Sequence, residues 1–233
     1  MRLLALLLTF LAWPALAEDV DLELVLLADA SGSITTAEIA FQRQGYAEAL
    51  TDPRVLEVIE GGAYGAIAVT YVEWAANTAV VVDWARVDGP EAAAAFAAAL
   101  VAPPRQAFGR NAIGGALLDA KRLIESNNHE GFRKVIDFSG DSPNSFSGPT
   151  VAEARDAVVA AGITINGLPI LCRFCDTPGR YPNLADIYEQ QIIGGVGAFV
   201  VEAANEADLA DAIRRKLILE ISGRMPTPRI AQR

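Results

Sequence analysis

The stretch LVLLADASGSI, residues 24–34, runs from an apolar segment into a short cluster of polar side chains. The cluster consists of Asp29, Ser31 and Ser33, which alternate with an alanine and a glycine. Two interpretations of this cluster are open. It is either a turn followed by a helix cap, or a set of three oxygen ligands for a metal ion. The rest of the chain has to distinguish between them.

The N-terminus is typical of a secretory signal peptide. Arg2 is followed by the apolar run LLALLLTFLAWPALA, residues 3–17, which ends in small residues. Pro14 interrupts this run, which is shorter than the roughly 20 residues of a membrane-spanning helix. We therefore predict that residues 1–17 are a signal peptide cleaved after Ala17, with an uncleaved anchor as the alternative. The mature protein is expected to be exported, to the periplasm or else to the extracellular medium, without membrane insertion.

The chain is acidic, with 19 basic and 29 acidic residues and a formal net charge of −10. An acidic surface repels phosphate backbones and anionic lipid, so we expect no binding to nucleic acid. Residues 18–222 are enough for one well-buried domain. Residues 223–233 contain two prolines, three arginines and no periodicity, and are predicted to be a flexible C-terminal tail.

Segments with strand and helix patterns alternate along the domain. The strand patterns cover residues 20–29, 65–75, 78–84, 133–141, 163–171 and 197–203. The helical patterns cover residues 35–50, 89–102, 112–126, 150–162, 183–193 and 205–222. The second and third strands lie a turn apart, which indicates an antiparallel pair. The sequence therefore predicts a Rossmann-like, doubly wound α/β fold, with a mostly parallel sheet, one antiparallel edge strand and helices on both faces.

Polar clusters follow two of the predicted strands. DASGS, residues 29–33, ends the first strand, and SGDSPNS, residues 139–145, ends the fourth. In folds of this class ligands bind at the carboxyl ends of the strands. Asp141 in the second cluster and Asn111 ahead of a helix add two further oxygen donors of the kind that hard divalent cations prefer. The placement favours the metal interpretation over the turn and cap.

Three motifs resemble those of a known family. DASGS resembles the D-x-S-x-S element of von Willebrand factor type A (vWA) domains, the fold shared with integrin inserted domains. That element opens the family's metal-ion-dependent adhesion site, or MIDAS. FGRNAIGGAL, residues 108–117, resembles the segment with the threonine ligand, and KVIDFSGD, residues 134–141, resembles the strand that ends in the aspartate. The resemblance extends from residue 20 to about residue 220, and other stretches look similar to an uncharacterised bacterial exported subgroup of these domains.

The resemblance implies a set of metal ligands. Ser31 and Ser33 would bind the ion directly, and Asp29 and Asp141 would hold it directly or through water. Asn111 stands where the family usually has a threonine, and an amide oxygen can also ligate a divalent cation. The implied ion is Mg²⁺, with Mn²⁺ or Ca²⁺ as alternatives.

The resemblance also implies a kind of partner. In the family, the open coordination position of the ion takes a carboxylate from a protein. We therefore expect an unidentified protein ligand that offers an Asp or Glu side chain. It would bind at the face built by residues 29–34, 108–112 and 141–147.

An enzymatic function is the first alternative to a metal-dependent binding domain. GDSP, residues 140–143, superficially resembles the nucleophile segment of a serine hydrolase, and Ser142 would need a histidine base beside it. The only histidine, His129, stands in the polar stretch ESNNHEG and is interpreted as a solvated loop residue. We therefore predict that the protein is not an enzyme. A metal-dependent hydrolase remains the alternative.

A second rival reading rests on CRFC, residues 172–175. Its two cysteines, Cys172 and Cys175, are expected to reach an oxidising compartment, which favours a small structural disulfide. Two free thiols, a zinc half-site and thiol–disulfide exchange are the alternatives.

Overall fold

The computed structural model describes residues 17–171, 181, 183–203 and 206–226. Its strands are β1 (Glu18–Asp29), β2 (Ile67–Trp74), β3 (Thr78–Val87), β4 (His129–Gly140) and β5 (Thr164–Pro169). Its helices are α1 (Thr36–Leu50), α2 (Pro53–Glu60), α3 (Pro90–Val101), α4 (Ile113–Glu125), α5 (Val151–Ala160), α6 (Leu184–Gln191) and α7 (Glu206–Ser222). Among these helices none is long and apolar enough to cross a membrane.

The strands form one sheet in the order β3-β2-β1-β4-β5. β1 lies at its centre and pairs in parallel with β2 and β4, while β5 adds in parallel to β4. β3 pairs antiparallel with β2 and forms an edge. Every residue of β1 from Val20 onward is buried, as expected for a strand covered on both faces. The predicted mostly parallel sheet with one antiparallel edge strand is confirmed.

Helices cover both faces of the sheet. α1, α2, α3 and α7 pack around one apolar core, and α4, α5 and α6 pack around the other. Local signals set several of their ends: Thr35 accepts a hydrogen bond from the Glu38 N–H in a capping box, and Gly162, with φ of 76°, follows the end of α5. The chain thus crosses from one face to the other beside β1, which places the carboxyl ends of β1 and β4 at the switch in strand order.

The structure contains one helix that the sequence patterns did not predict. α2 begins after Asp52, whose carboxylate accepts the Arg54 N–H at 2.9 Å, and Pro53 occupies its first position. It buries Val55 and Ile59 against the core of α1 and α7. An Asp-Pro start signal was present in the sequence, but eight residues are too short for a persistent helical pattern.

Two predictions were wrong. Residues 197–203 do not form a regular strand: Val200 makes an isolated bridge to Gly167 of β5, and Ala203 makes one to Ile170 just beyond it. Gly197, with φ of 72°, turns the chain where the strand was expected to begin. His129 is not a solvated loop residue: it is the first residue of β4, and its side chain is only 11% exposed and lies near Trp84. The pairing of Glu18 with His129 extends β4 into the polar stretch.

Some predictions fall on residues outside those described. Nearly all of the signal peptide, the C-terminal residues 227–233 and both cysteines, Cys172 and Cys175, belong to this group. Cleavage, the tail and the disulfide therefore stay predictions.

Candidate metal centre

Two neighbouring strands bring the predicted acidic residues to one edge of the sheet. Asp29 is the last residue of β1, and Asp141 directly follows β4. The two strands pair in parallel, with Ala28 opposite Ser139. Because carboxyl ends of adjacent parallel strands meet, residues 112 positions apart in the chain become neighbours.

The loop after β1 aims its oxygens at this edge. The Ser31 backbone N–H donates to Asp29 Oδ1 at 2.7 Å, which turns the chain back on the carboxylate. The hydroxyl oxygens of Ser31 and Ser33 lie 3.0 Å apart, and the Ser33 hydroxyl donates to Asp141 Oδ1 at 3.3 Å. The structure thus brings four of the five predicted ligands into one connected cluster, in which Ser31 and Asp29 are buried.

Asp29 is in an unfavourable environment for a carboxylate. Its Oδ2 atom is buried and has no hydrogen-bond partner. Burial and the nearby charge of Asp141 together raise the pKa of Asp29 to about 7, although hydrogen bonds from Ser31 and from the Asp141 backbone oppose the rise. A buried carboxylate is stable as an anion only when a positive charge or enough donors face it. The free oxygen and the second carboxylate fit a divalent cation.

The floor of the cluster leaves room for Asp29 because residue 140 is a glycine. A Cβ atom on Gly140 would lie 3.0 Å from Asp29 Oδ2 and 2.9 Å from the Tyr188 hydroxyl oxygen. The Tyr188 hydroxyl is itself buried without a hydrogen-bond partner, and its pKa is raised by burial and by the charges of Asp29 and Asp141. Protonated at neutral pH, this hydroxyl is a donor beside the carboxylates.

Asn111 reaches the same edge on a separate loop. Two backbone hydrogen bonds hold that loop between the acidic segments: the Gly32 N–H donates to the Gly109 carbonyl at 2.7 Å, and the Phe146 N–H donates to the Asn111 carbonyl at 2.8 Å. The side chain of Asn111 is buried, and its Nδ2 has no hydrogen-bond partner. Rotation of the amide by half a turn exchanges its nitrogen and oxygen, so the oxygen can take that position.

Arg105 supports the loop after β1, a role that no sequence pattern predicted. Its guanidinium donates to the carbonyl oxygens of Ala30, Ser31 and Ile34, with the Ser31 bond at 3.0 Å and the Ile34 bond at 3.1 Å. The rigid, planar guanidinium of Arg105 thus fixes three carbonyl groups of the loop that carries the two serine hydroxyls. No local pattern in the sequence relates Arg105 to residues more than 70 positions away.

A buried ion pair supports the segment that carries Arg105. The Arg43 Nη2 atom lies 2.6 Å from Glu73 Oε1, and both side chains are almost fully buried. Arg43 also donates to the carbonyls of Pro103 and Pro104, and Glu73 Oε2 accepts the Gln106 N–H at 2.7 Å. The sequence did contain a signal for this pair, because a glutamate within the apolar strand YVEWA needs a buried partner.

The donor set consists of oxygens only. Two carboxylates, two hydroxyls and an amide stand at this edge, which are the groups that Mg²⁺ and Ca²⁺ prefer. In the part of the chain that the structure describes, no group of three or more His, Cys, Asp and Glu side chains could hold a metal.

The serine-hydrolase reading fails on geometry. Ser142 lies two residues beyond the end of β4, whereas His129 is the first residue of that 12-residue strand. At about 3.3 Å per residue the two side chains stand roughly 40 Å apart. The Ser142 hydroxyl instead accepts the Asn144 N–H at 3.2 Å, as a turn residue does.

Comparison with known proteins gives one family match. Residues 19–225 match the family described as "Protein of unknown function (DUF1194)". A comparison with curated proteins gives no match.

Solved structures that are similar to this chain include vWA domains and adhesins. The pilus adhesin SpaC from Lactobacillus rhamnosus GG is similar over 88% of this chain and 31% of its own, with 14% identity and a TM-score of 0.62. The von Willebrand factor type A protein from Catenulispora acidiphila is similar over 87% and 43%, with 16% identity and a TM-score of 0.60. Proximal thread matrix protein 1 from the mussel byssus, with a zinc-occupied MIDAS motif, is similar over 88% and 46%, with 15% identity and a TM-score of 0.59. The chain thus spans less than half the length of each and has the vWA fold.

Proposed function

The chain belongs to the DUF1194 family, and we propose that it is an exported, non-enzymatic binding domain whose metal site engages a protein partner. Five residues would hold one divalent cation: Asp29, Ser31, Ser33, Asn111 and Asp141. The bound cation would supply a positive centre with an exchangeable position for an Asp or Glu carboxylate of the partner. Mg²⁺ is the proposed ion, with Mn²⁺ and Ca²⁺ as substitutes.

One observation carries this proposal: the buried Asp29 Oδ2 has no hydrogen-bond partner while Asp141 stands beside it. The two carboxylates of this partly buried cluster repel one another, and neither serine hydroxyl carries a compensating charge. A single divalent cation neutralises both. The turn-and-cap interpretation of Asp29 accounts for its Oδ1, which accepts from Ser31, but leaves Oδ2 without a role.

The partner and the location rest on two further supports. Several solved structures with this fold are pilus proteins, among them the SpaC adhesin and the tip protein Mfa5 from Porphyromonas gingivalis. Adhesion through protein contacts outside the cytoplasm is consistent with the signal-peptide pattern of residues 1–17. The proposed compartment is the periplasm, with the extracellular medium as the alternative.

Calorimetric titration of the chelator-stripped protein tests the metal site. We expect one Mg²⁺ or Mn²⁺ ion per chain, and a loss of at least tenfold in affinity in Asn111→Ala, because that variant removes one of five oxygen donors. Asn183→Ala is the matched control, since Asn183 is exposed and lies at the start of α6. The proposal fails if none of Mg²⁺, Mn²⁺ and Ca²⁺ binds to the folded protein.

A further inference from the structure

Two large aromatic side chains project from the loops that flank the metal centre. Phe108 is 57% exposed and Phe146 is 52% exposed. Phe108 lies three residues before Asn111, and Phe146 lies five residues after Asp141. Neither ring is buried by the fold, so the folded chain gains little from the apolar character of these two positions.

An arginine guanidinium lies over each of the two aromatic rings. The Arg110 guanidinium carbon lies 3.9 Å from the centre of the Phe146 ring, and that of Arg105 lies 5.1 Å from the centre of the Phe108 ring. Arg105 is occupied by the carbonyls of the loop after β1. Arg110 is exposed and has no acidic partner among the side chains that the structure describes. A guanidinium stacked by its face keeps its N–H edges free for a carboxylate.

Backbone hydrogen bonds place these residues around the metal ligands. The Gly32 N–H donates to the Gly109 carbonyl, between Phe108 and Arg110, and the Phe146 N–H donates to the Asn111 carbonyl. The backbone at Phe108, Arg110 and Phe146 therefore lies beside Asn111, and we refer to these three residues as the aromatic rim. The rim is cationic and apolar, although the chain as a whole has a net charge of −10.

We infer that the aromatic rim selects a protein segment in which the metal-binding Asp or Glu is flanked by a second acidic residue and by an aromatic residue. This inference rests on the proposed function and names its partner class. The second carboxylate would pair with the free N–H edge of Arg110, a charge-assisted contact held in place by the stacked ring. The aromatic side chain would cover Phe108 and Phe146, which provide apolar area at the edge of an otherwise polar site.

Fluorescence anisotropy with four labelled peptides tests this inference. Each peptide carries a central triplet between glycine and serine residues: Phe-Asp-Glu, Ser-Asp-Ser, Phe-Asn-Glu or Phe-Asp-Lys. With Mn²⁺ present we expect the Phe-Asp-Glu peptide to bind roughly tenfold more tightly than the Ser-Asp-Ser and Phe-Asp-Lys peptides. The Phe-Asn-Glu peptide and all peptides in excess EDTA should not bind.

Two variants of the rim connect the preference to its residues. In Arg110→Gln the advantage of Glu over Lys should disappear, and in Phe146→Ala the advantage of Phe over Ser should fall several-fold. Arg122→Gln and Phe132→Ala are the matched controls, because both side chains are 67–68% exposed and lie away from the rim on α4 and β4. A Mn²⁺ titration of each variant verifies that fold and metal site are intact.

The outcomes separate the inference from the proposed function. Mn²⁺-dependent binding of the Asp peptides with equal affinity overturns the inference and leaves the proposed function standing. No Mn²⁺ binding by the wild-type protein overturns both. Binding of the rim to anionic phosphatidylglycerol vesicles, lost in Arg110→Gln, in place of any peptide preference, would instead assign the rim to a lipid surface and overturn the inference.

Discussion

Asp29→Asn is expected to abolish binding of divalent cations and, at the same time, to stabilise the metal-free protein. Asparagine keeps the acceptor for the Ser31 N–H but removes a buried negative charge whose Oδ2 has no partner. Loss of that charge should raise the free energy of unfolding of the metal-free protein by about 1–3 kcal/mol at pH 8. Loss of the charged ligand should eliminate the metal-induced rise in melting temperature. In the wild type, free metal at a hundred times its Kd should stabilise the folded state by about 2.7 kcal/mol.

The pH dependence of the stability of the metal-free protein gives a second test of the Asp29→Asn variant. The pKa of Asp29 is raised to about 7 in the folded protein, above its value in the unfolded chain, so the folded state binds the proton more tightly. The metal-free wild type should therefore lose stability as the pH rises from about 4 to 7, and this part of the loss should be absent in Asp29→Asn. Asp83→Asn on the exposed surface of β3 is the control. A metal-free Asp29→Asn protein less stable than wild type at pH 8 would contradict the assignment.

Arg43→Met is expected to have the largest effect on stability, a loss of about 3–5 kcal/mol in the free energy of unfolding. The substitution leaves Glu73 almost fully buried without its cationic partner and deprives the carbonyls of Pro103 and Pro104 of a donor. Since residues 103–107 carry Arg105, metal affinity should fall as well. Chemical denaturation with and without Mn²⁺ measures both effects.

A second variant shows that the loss comes from the unpaired charge. Arg43→Met combined with Glu73→Gln removes the buried charge and keeps an acceptor for the Gln106 N–H, so it should recover part of the lost stability. Arg54→Met, at a surface ion pair whose arginine is 61% exposed, should leave the free energy of unfolding nearly unchanged, because exposed ion pairs contribute little to stability. Equal losses in Arg43→Met and Arg54→Met would show that the pair does not hold the segment.

The sequence predicted the sheet, and the edge of the sheet at which Asp29 and Asp141 lie, because the patterns that indicate them are local in the chain. An apolar run that ends in Asp29 and another that ends in Asp141 can be recognised without knowledge of the fold, and strand order then brings them together. The predicted strand at residues 197–203 was wrong because an apolar composition does not reveal that Gly197 has a positive φ, which turns the chain there. Composition alone does not show whether a turn will interrupt the regular pairing of a strand with its neighbour.

The supporting residues of the site could not be predicted in the same way. Arg105 acts on carbonyl oxygens, which every residue offers, so no residue type in the loop after β1 identifies its partner. A glutamate at position 73 within an apolar strand did indicate a buried cationic partner, but several arginines in the chain could have been that partner. Only the packing of α1 on the sheet beside β2 selects Arg43.

A crystal structure of the protein grown with Mn²⁺, with data collected for the anomalous signal of manganese, shows directly whether this edge of the sheet binds a divalent cation. We expect one anomalous peak within about 2.0–2.3 Å of the hydroxyl oxygens of both Ser31 and Ser33, with Asp29, Asp141 and Asn111 around it directly or through water. An ordered edge of the sheet without a peak at saturating Mn²⁺, or a peak bound by other residues alone, would contradict it.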